Sequence, residues 1–153
     1  MGLVPMASTL ERTMSTVALL DDDQLSPEAA AVFADIRAVR GTDTVNNFWR
    51  ALAHDPVTLK RTWESLKQVM APGALDPLTK EMLYVAVSIA NSCEYCIRSH
   101  RAAARAKGMT DAQFMELLAV VGMASETNRL ATGLQVPVDA AFGPESVARR
   151  ERP

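Results

Sequence analysis

An all-α fold is what this sequence predicts, on three observations. A short polar residue followed by proline recurs at Ser26-Pro27, Asp55-Pro56 and Asp76-Pro77, the pairing of an N-cap with a proline at the first helical position. Apolar residues return at spacings of three and four, the period of one helix face. No segment sustains the apolar–polar alternation of an exposed sheet.

The elements follow in order. The first helix is expected over 27–39, with Ala30, Phe33, Ala34 and Ile36 as its buried stripe and Gly41 beyond its end. A short helix follows over 45–54. The segment 56–70 carries Leu59, Trp63, Leu66 and Met70 at spacings of four, three and four, and Ala71-Pro72-Gly73 breaks the chain. A helix over 77–90 is apolar nearly all round from Met82 to Ala90, the pattern of a helix buried inside a bundle or an oligomer. Its Val and Ile content also suits a buried strand; the Asp-Pro cap and the helical neighbours favour helix. Ser92 reads as the N-cap of a helix over 93–107 that stops at Gly108. Thr110 and Gln113 form a capping box opening the last long helix, whose stripe is Phe114, Leu117, Leu118, Val121 and Leu130. About six or seven helices result.

Composition limits what such a chain does. Its 153 residues, 48% of them apolar, are enough for one compact core and too few for a multidomain enzyme. Sixteen basic residues stand against 18 acidic ones, a net charge of −2, so no field draws the chain to nucleic acid or an anionic membrane. The apolar run at 82–90 falls well short of the roughly 20 residues that span a bilayer. No secretory leader pattern is evident at the start, and two cysteines are too few for a disulfide framework. A cytoplasmic protein is expected. Residues 1–24 read as a flexible extension, with a second plausible start at Met14, and 149–153 as a flexible tail around one domain over 25–148.

The chemistry gathers in Cys93-Glu94-Tyr95-Cys96-Ile97-Arg98-Ser99-His100. On a helix Cys93, Cys96 and His100 share one face. The α-carbons of the cysteines would lie about 5 Å apart, within disulfide range. Thiols in the first helical turns meet unpaired backbone N–H groups and the positive end of the helix dipole, which stabilise a thiolate, and His100 is placed to take the proton. Arg98, Arg101 and Arg105 add positive charge but read as a solvated face. Glu81 reads two ways. If the helices on either side of Asn91-Ser92 pack antiparallel, Glu81 lies about 15 Å back from the corner and His100 about 10 Å forward, near enough for a Cys96–His100–Glu81 relay. Alternatively Glu81 only complements the dipole of its own helix. His54 is expected to end its helix ahead of Asp55-Pro56 rather than join the site.

Glu81, eleven intervening residues, Cys93-x-x-Cys96-x-x-x-His100 and the alanine-rich run to Lys107-Gly108-Met109-Thr110 resemble the alkyl hydroperoxidase D-like (AhpD-like) branch of the carboxymuconolactone decarboxylase family. Similarity extends upstream through Asn46-Asn47-Phe48 and Leu52-Ala53-His54-Asp55-Pro56, covering residues 40–130. The resemblance implies an AhpD-like helical bundle assembled as trimers or hexamers, and a thiol-dependent hydroperoxidase needing no cofactor or metal. It makes Cys96 the peroxidatic cysteine, Cys93 the resolving one, and Glu81 and His100 the proton relay. The implied partners are a hydroperoxide substrate and a dithiol reductant, a lipoylated protein in some relatives. One departure stands out: Tyr95 occupies the position where a well-known branch has a second histidine.

Three rival readings share these residues. A carboxymuconolactone decarboxylase would use acid/base groups on the same fold, but those enzymes generally lack the cysteine pair. A zinc-binding module would draw on Cys93, Cys96, His100 and Glu81, although structural zinc favours four Cys/His ligands on loops. A redox sensor would form the disulfide and turn over no peroxide.

Overall fold

The computed structural model describes residues 15–143 of the chain, which places the tail at 149–153 and most of the N-terminal extension outside the described residues. Among them are six α-helices and no strand: α1 (Pro27–Arg40), α2 (Asn47–Leu52), α3 (Pro56–Met70), α4 (Pro77–Ala90), α5 (Glu94–Ala106) and α6 (Asp111–Gly133). The chain divides between Ala71 and Pro72 into two compact units.

In the first unit the Ser/Asp-Pro starts act as local physics requires. Ser26 accepts from Ala29 N at the head of α1, and Asp55 from Val57 N and Thr58 N at the head of α3. Gly41, at φ 61°, closes α1 in the left-handed conformation that an L side chain resists. The core is built from Phe33, Ile36 and Leu59, with Trp49 and Trp63 edge to face at 5.5 Å. Each fully buried large side chain contributes about 1.5–3 kcal/mol. Asp35 accepts from Trp63 Nε1 and Lys67 Nζ, both at 2.6 Å, tying α1 to α3.

Two expectations need correction in this unit. The buried stripe of α1 is Ala29, Val32, Phe33 and Ile36, whereas Ala30 and Ala34 face outward. Alanines are too small to fix a helix's rotation, and Val32 with Phe33 decides it. Residues 18–24, assigned to a flexible extension, are tied down. Leu20 N donates to Arg50 O, His54 Nε2 to Ala18 O at 2.8 Å, and Asp21 and Asp22 pair with Arg50 and Arg37. His54 lies beyond the end of α2 and anchors this segment.

The second unit holds α4, α5 and α6, with α4 packed against both others. The strand alternative for 82–90 is overturned, since α4 is helical throughout. Val85 and Ala104 are fully buried, Met109 and Leu117 nearly so. On α6 the expected stripe is buried or half-buried at Phe114, Leu117, Leu118 and Val121, but Leu130 is exposed. The all-round apolar pattern of α4 is only partly covered: Leu83 and Val87 stand 51% and 58% exposed. Among the described residues no helix is long and apolar enough to cross a membrane.

Candidate active site

The corner between α4 and α5 sets the site. Asn91 ends α4; Ser92 follows in the left-handed region at φ 55°, and Cys93 N donates back to Ser88 O at 2.9 Å while Ser92 N donates to Ile89 O at 3.0 Å. These two bonds are the Schellman closure of a helix C-terminus. The N-cap of α5 is therefore Cys93 and not Ser92, because a residue in the left-handed conformation cannot adopt the extended geometry that an N-cap requires. Cys93 serves both helices: its N–H closes α4, and its sulfur accepts from Cys96 N at 3.3 Å to cap α5.

Cys93 and Cys96 are joined by a disulfide, with α-carbons 5.3 Å apart. Both are half-buried. The pair spans the N-cap and the third residue of α5. His100 lies one turn beyond Cys96 on the same face.

Antiparallel return across the corner brings Glu81 to His100. Glu81 Oε2 lies 2.7 Å from His100 Nδ1. Its other oxygen, Oε1, accepts from Lys107 Nζ at 2.9 Å. Glu81 is 6% exposed. That burial pushes its carboxyl up most of all, but the hydrogen bonds from His100 and Lys107, with the Lys107 charge, outweigh it and hold the group below the usual carboxylate range. The dipole-only reading of Glu81 gives way to this contact. The imidazole is also held from its face, since the Tyr84 ring stacks on it at 3.5 Å with 17° between planes.

Tyr84 and Lys107 are the two members that sequence reasoning missed. Their signals were positional: Tyr84 stands three residues beyond Glu81, and Lys107 seven beyond His100, both same-face spacings. The arginines are committed elsewhere, Arg98 to Glu94 and Arg101 and Arg105 to Asp111. Tyr95 is exposed. Among the described residues, no group of three or more His, Cys, Asp or Glu is placed to hold a metal ion.

A disulfide-bonded cysteine pair backed by a carboxylate-bound imidazole defines the class of site. Residues 56–139 match the carboxymuconolactone decarboxylase family. The crystal structure of an alkylhydroperoxidase AhpD core from Rhodospirillum rubrum is 64% identical, superimposes with a TM-score of 0.81, and is matched over 84% of this chain and 97% of that one. A relative from Paracoccus denitrificans, known as uncharacterized protein 4 in the cox locus, is 44% identical over 52 residues. That match takes in 34% of this chain and spans about half the length of the relative, 47%. The chain belongs to the carboxymuconolactone decarboxylase family, as an AhpD-like member.

Proposed function

We propose that the chain is a thiol-dependent hydroperoxidase working through its own cysteine pair. The observation that carries this reading is the Glu81–His100 contact at 2.7 Å, one helical turn from the Cys93–Cys96 disulfide. In the reduced protein, the Cys96 thiol passes its proton to His100 Nε2 while Nδ1 donates to Glu81. The Cys96 thiolate attacks the outer oxygen of the hydroperoxide, the O–O bond breaks, and the departing alkoxide takes the proton from the imidazolium to leave as an alcohol. Cys96 is then a sulfenic acid. The Cys93 thiol attacks that sulfur, water leaves, and the disulfide forms. One hydroperoxide and two thiols thus give one alcohol, one water and one disulfide. An external dithiol then reduces the disulfide to the two thiols by exchange through a mixed disulfide, and itself leaves as a disulfide.

The reductant fitting the family resemblance is a lipoylated protein, and the working form a homo-oligomer, trimer or hexamer, in the cytoplasm. No bound cofactor enters the cycle. The test is a thiol count on reduced protein before and after one equivalent of tert-butyl hydroperoxide. Two thiols are expected to vanish in the parent and none in Cys96→Ser beyond slow background, with His100→Ala slowed about a hundredfold. Thiols that stay free under excess peroxide would overturn the reading, and carbon dioxide release from carboxymuconolactone would then be measured. Disulfide formation without turnover in the presence of dihydrolipoamide would reduce it to a redox sensor.

A further inference from the structure

Each oxygen of Glu81 has its own donor, His100 Nδ1 on Oε2 and Lys107 Nζ on Oε1. We propose that Lys107 is a positioning residue of the relay: by holding Glu81 as a carboxylate it keeps His100 in the tautomer whose Nε2 carries the lone pair for the thiol proton. The inference deepens the hydroperoxidase reading and rests on it for its kinetic half alone.

A carboxyl group facing a neutral imidazole has two arrangements. As a carboxylate it accepts from Nδ1–H, leaving Nε2 as a base. As an acid it donates to Nδ1, the ring proton moves to Nε2, and the base is lost. Burial to 6% exposure favours the acid, and a cation on the far oxygen favours the carboxylate. Lys107 supplies that cation at low cost, since its side chain is 38% exposed and keeps contact with water. Its place is fixed by the backbone. Lys107 ends α5, Gly108 follows at φ 98°, and Gly108 N and Met109 N donate back to Arg105 O and Ala104 O, a second Schellman closure. The net lowering of the Glu81 carboxyl, with hydrogen bonds from both partners among its causes, agrees.

Other charges around Glu81 do not substitute. On α5, Arg98 pairs with Glu94, and Arg101 and Arg105 face Asp111 at the head of α6. Arg101 also lies over the Phe114 ring at 4.4 Å. Further along α6, Glu116, Glu126 and Arg129 are exposed. On α4, Lys80 lies about 100° round the helix from Glu81, and Tyr84 meets the imidazole by its ring.

The test uses the oxidised full-length protein with carbon-13 in its glutamate carboxyls. The Glu81 resonance is identified by its loss in Glu81→Gln. In Lys107→Met, which removes the charge at nearly constant length, Glu81 is expected to titrate at higher pH than in the parent; in Lys107→Arg it titrates with the parent. Lys107→Gln replaces the Met variant if that one does not fold. In reduced protein with tert-butyl hydroperoxide, the acid limb of thiol loss against pH moves the same way, about tenfold slower near pH 6 and converging on the parent at higher pH. A parent-like Glu81 titration in Lys107→Met overturns the proposal. So does an equal shift in Lys107→Arg, which would mean packing rather than charge. If no variant loses thiols but the Glu81 titration moves as expected, the hydroperoxidase reading fails and the role of Lys107 stands.

Discussion

A carboxylate that is 6% exposed must be neutralised or paired, and Glu81 is paired twice, by His100 and Lys107. The pairing links stability to pH with a definite sign. Because the folded carboxyl sits below its unfolded value of 4.5, its contribution is complete above that value and is lost as pH falls through the lower folded one. Glu81→Gln is therefore expected to destabilise the oxidised protein by about 1–3 kcal/mol near neutral pH. Urea unfolding at several pH values should show the gap steady between about pH 6 and 8 and shrinking on strong acidification. A gap that widens on acidification would contradict the assigned ionisation. Glu81 stood in the sequence under two readings, whereas Cys93, Cys96 and His100 were legible as one helix face, because cysteines three apart followed by a histidine four further on are chemically distinctive. Lys107 and Tyr84 were not. A lysine at a helix end and a tyrosine in an apolar run are commonplace, and only the antiparallel return of α5 on α4 gives them a carboxylate and an imidazole to meet.

The elements owe their placement to caps, and the caps explain which boundaries were readable. Three Ser/Asp-Pro starts and the Thr110–Gln113 box fix the heads of α1, α3, α4 and α6 where the sequence put them, because a side-chain oxygen and a fixed φ act within one turn. The α4–α5 corner was misread at Ser92, since a serine before a helix suggests an N-cap and nothing local reveals a left-handed φ. A serine held at φ 55° bears a steric cost that glycine does not. Ser92→Gly is expected to stabilise the protein by up to about 1 kcal/mol, reduced by the added freedom of the unfolded chain. Ser92→Val, β-branched at the same φ, is expected to destabilise it and to slow closure of the Cys93–Cys96 bond by loosening the cap. Differential scanning calorimetry with timed thiol counts reads both effects. A valine variant as stable as the parent would show that the corner tolerates more than the Schellman geometry implies.

At the scale of the whole molecule, the second unit leaves more apolar surface open than its own helices cover. Leu83 and Val87 stand one turn apart on α4, and Met115, Val120, Met123 and Leu130 are all more than half exposed on α6, which packs against α4. Single exposed apolar side chains are ordinary on a protein surface. Six on two neighbouring helices, one of them apolar nearly all round in sequence, are what an interface between copies leaves uncovered in one chain. This is compatible with the homo-oligomer proposed above, and the contact we propose lies on the unit that carries the cysteines. Light scattering of the parent is expected to give a multiple of the 16.6 kDa chain mass, and Val87→Glu with Met123→Glu to lower that multiple, because a charge desolvated in an apolar contact is costly unless paired. Both substitutions lie on open surface, so helical content by circular dichroism should stay with the parent. Thiol loss to peroxide then separates two roles for assembly. If the dissociated variant keeps the parent rate, each chain holds a complete site and association serves stability. A rate that falls with the mass would mean that the contact orders α4, and with it the Glu81 carboxylate of the proposed relay.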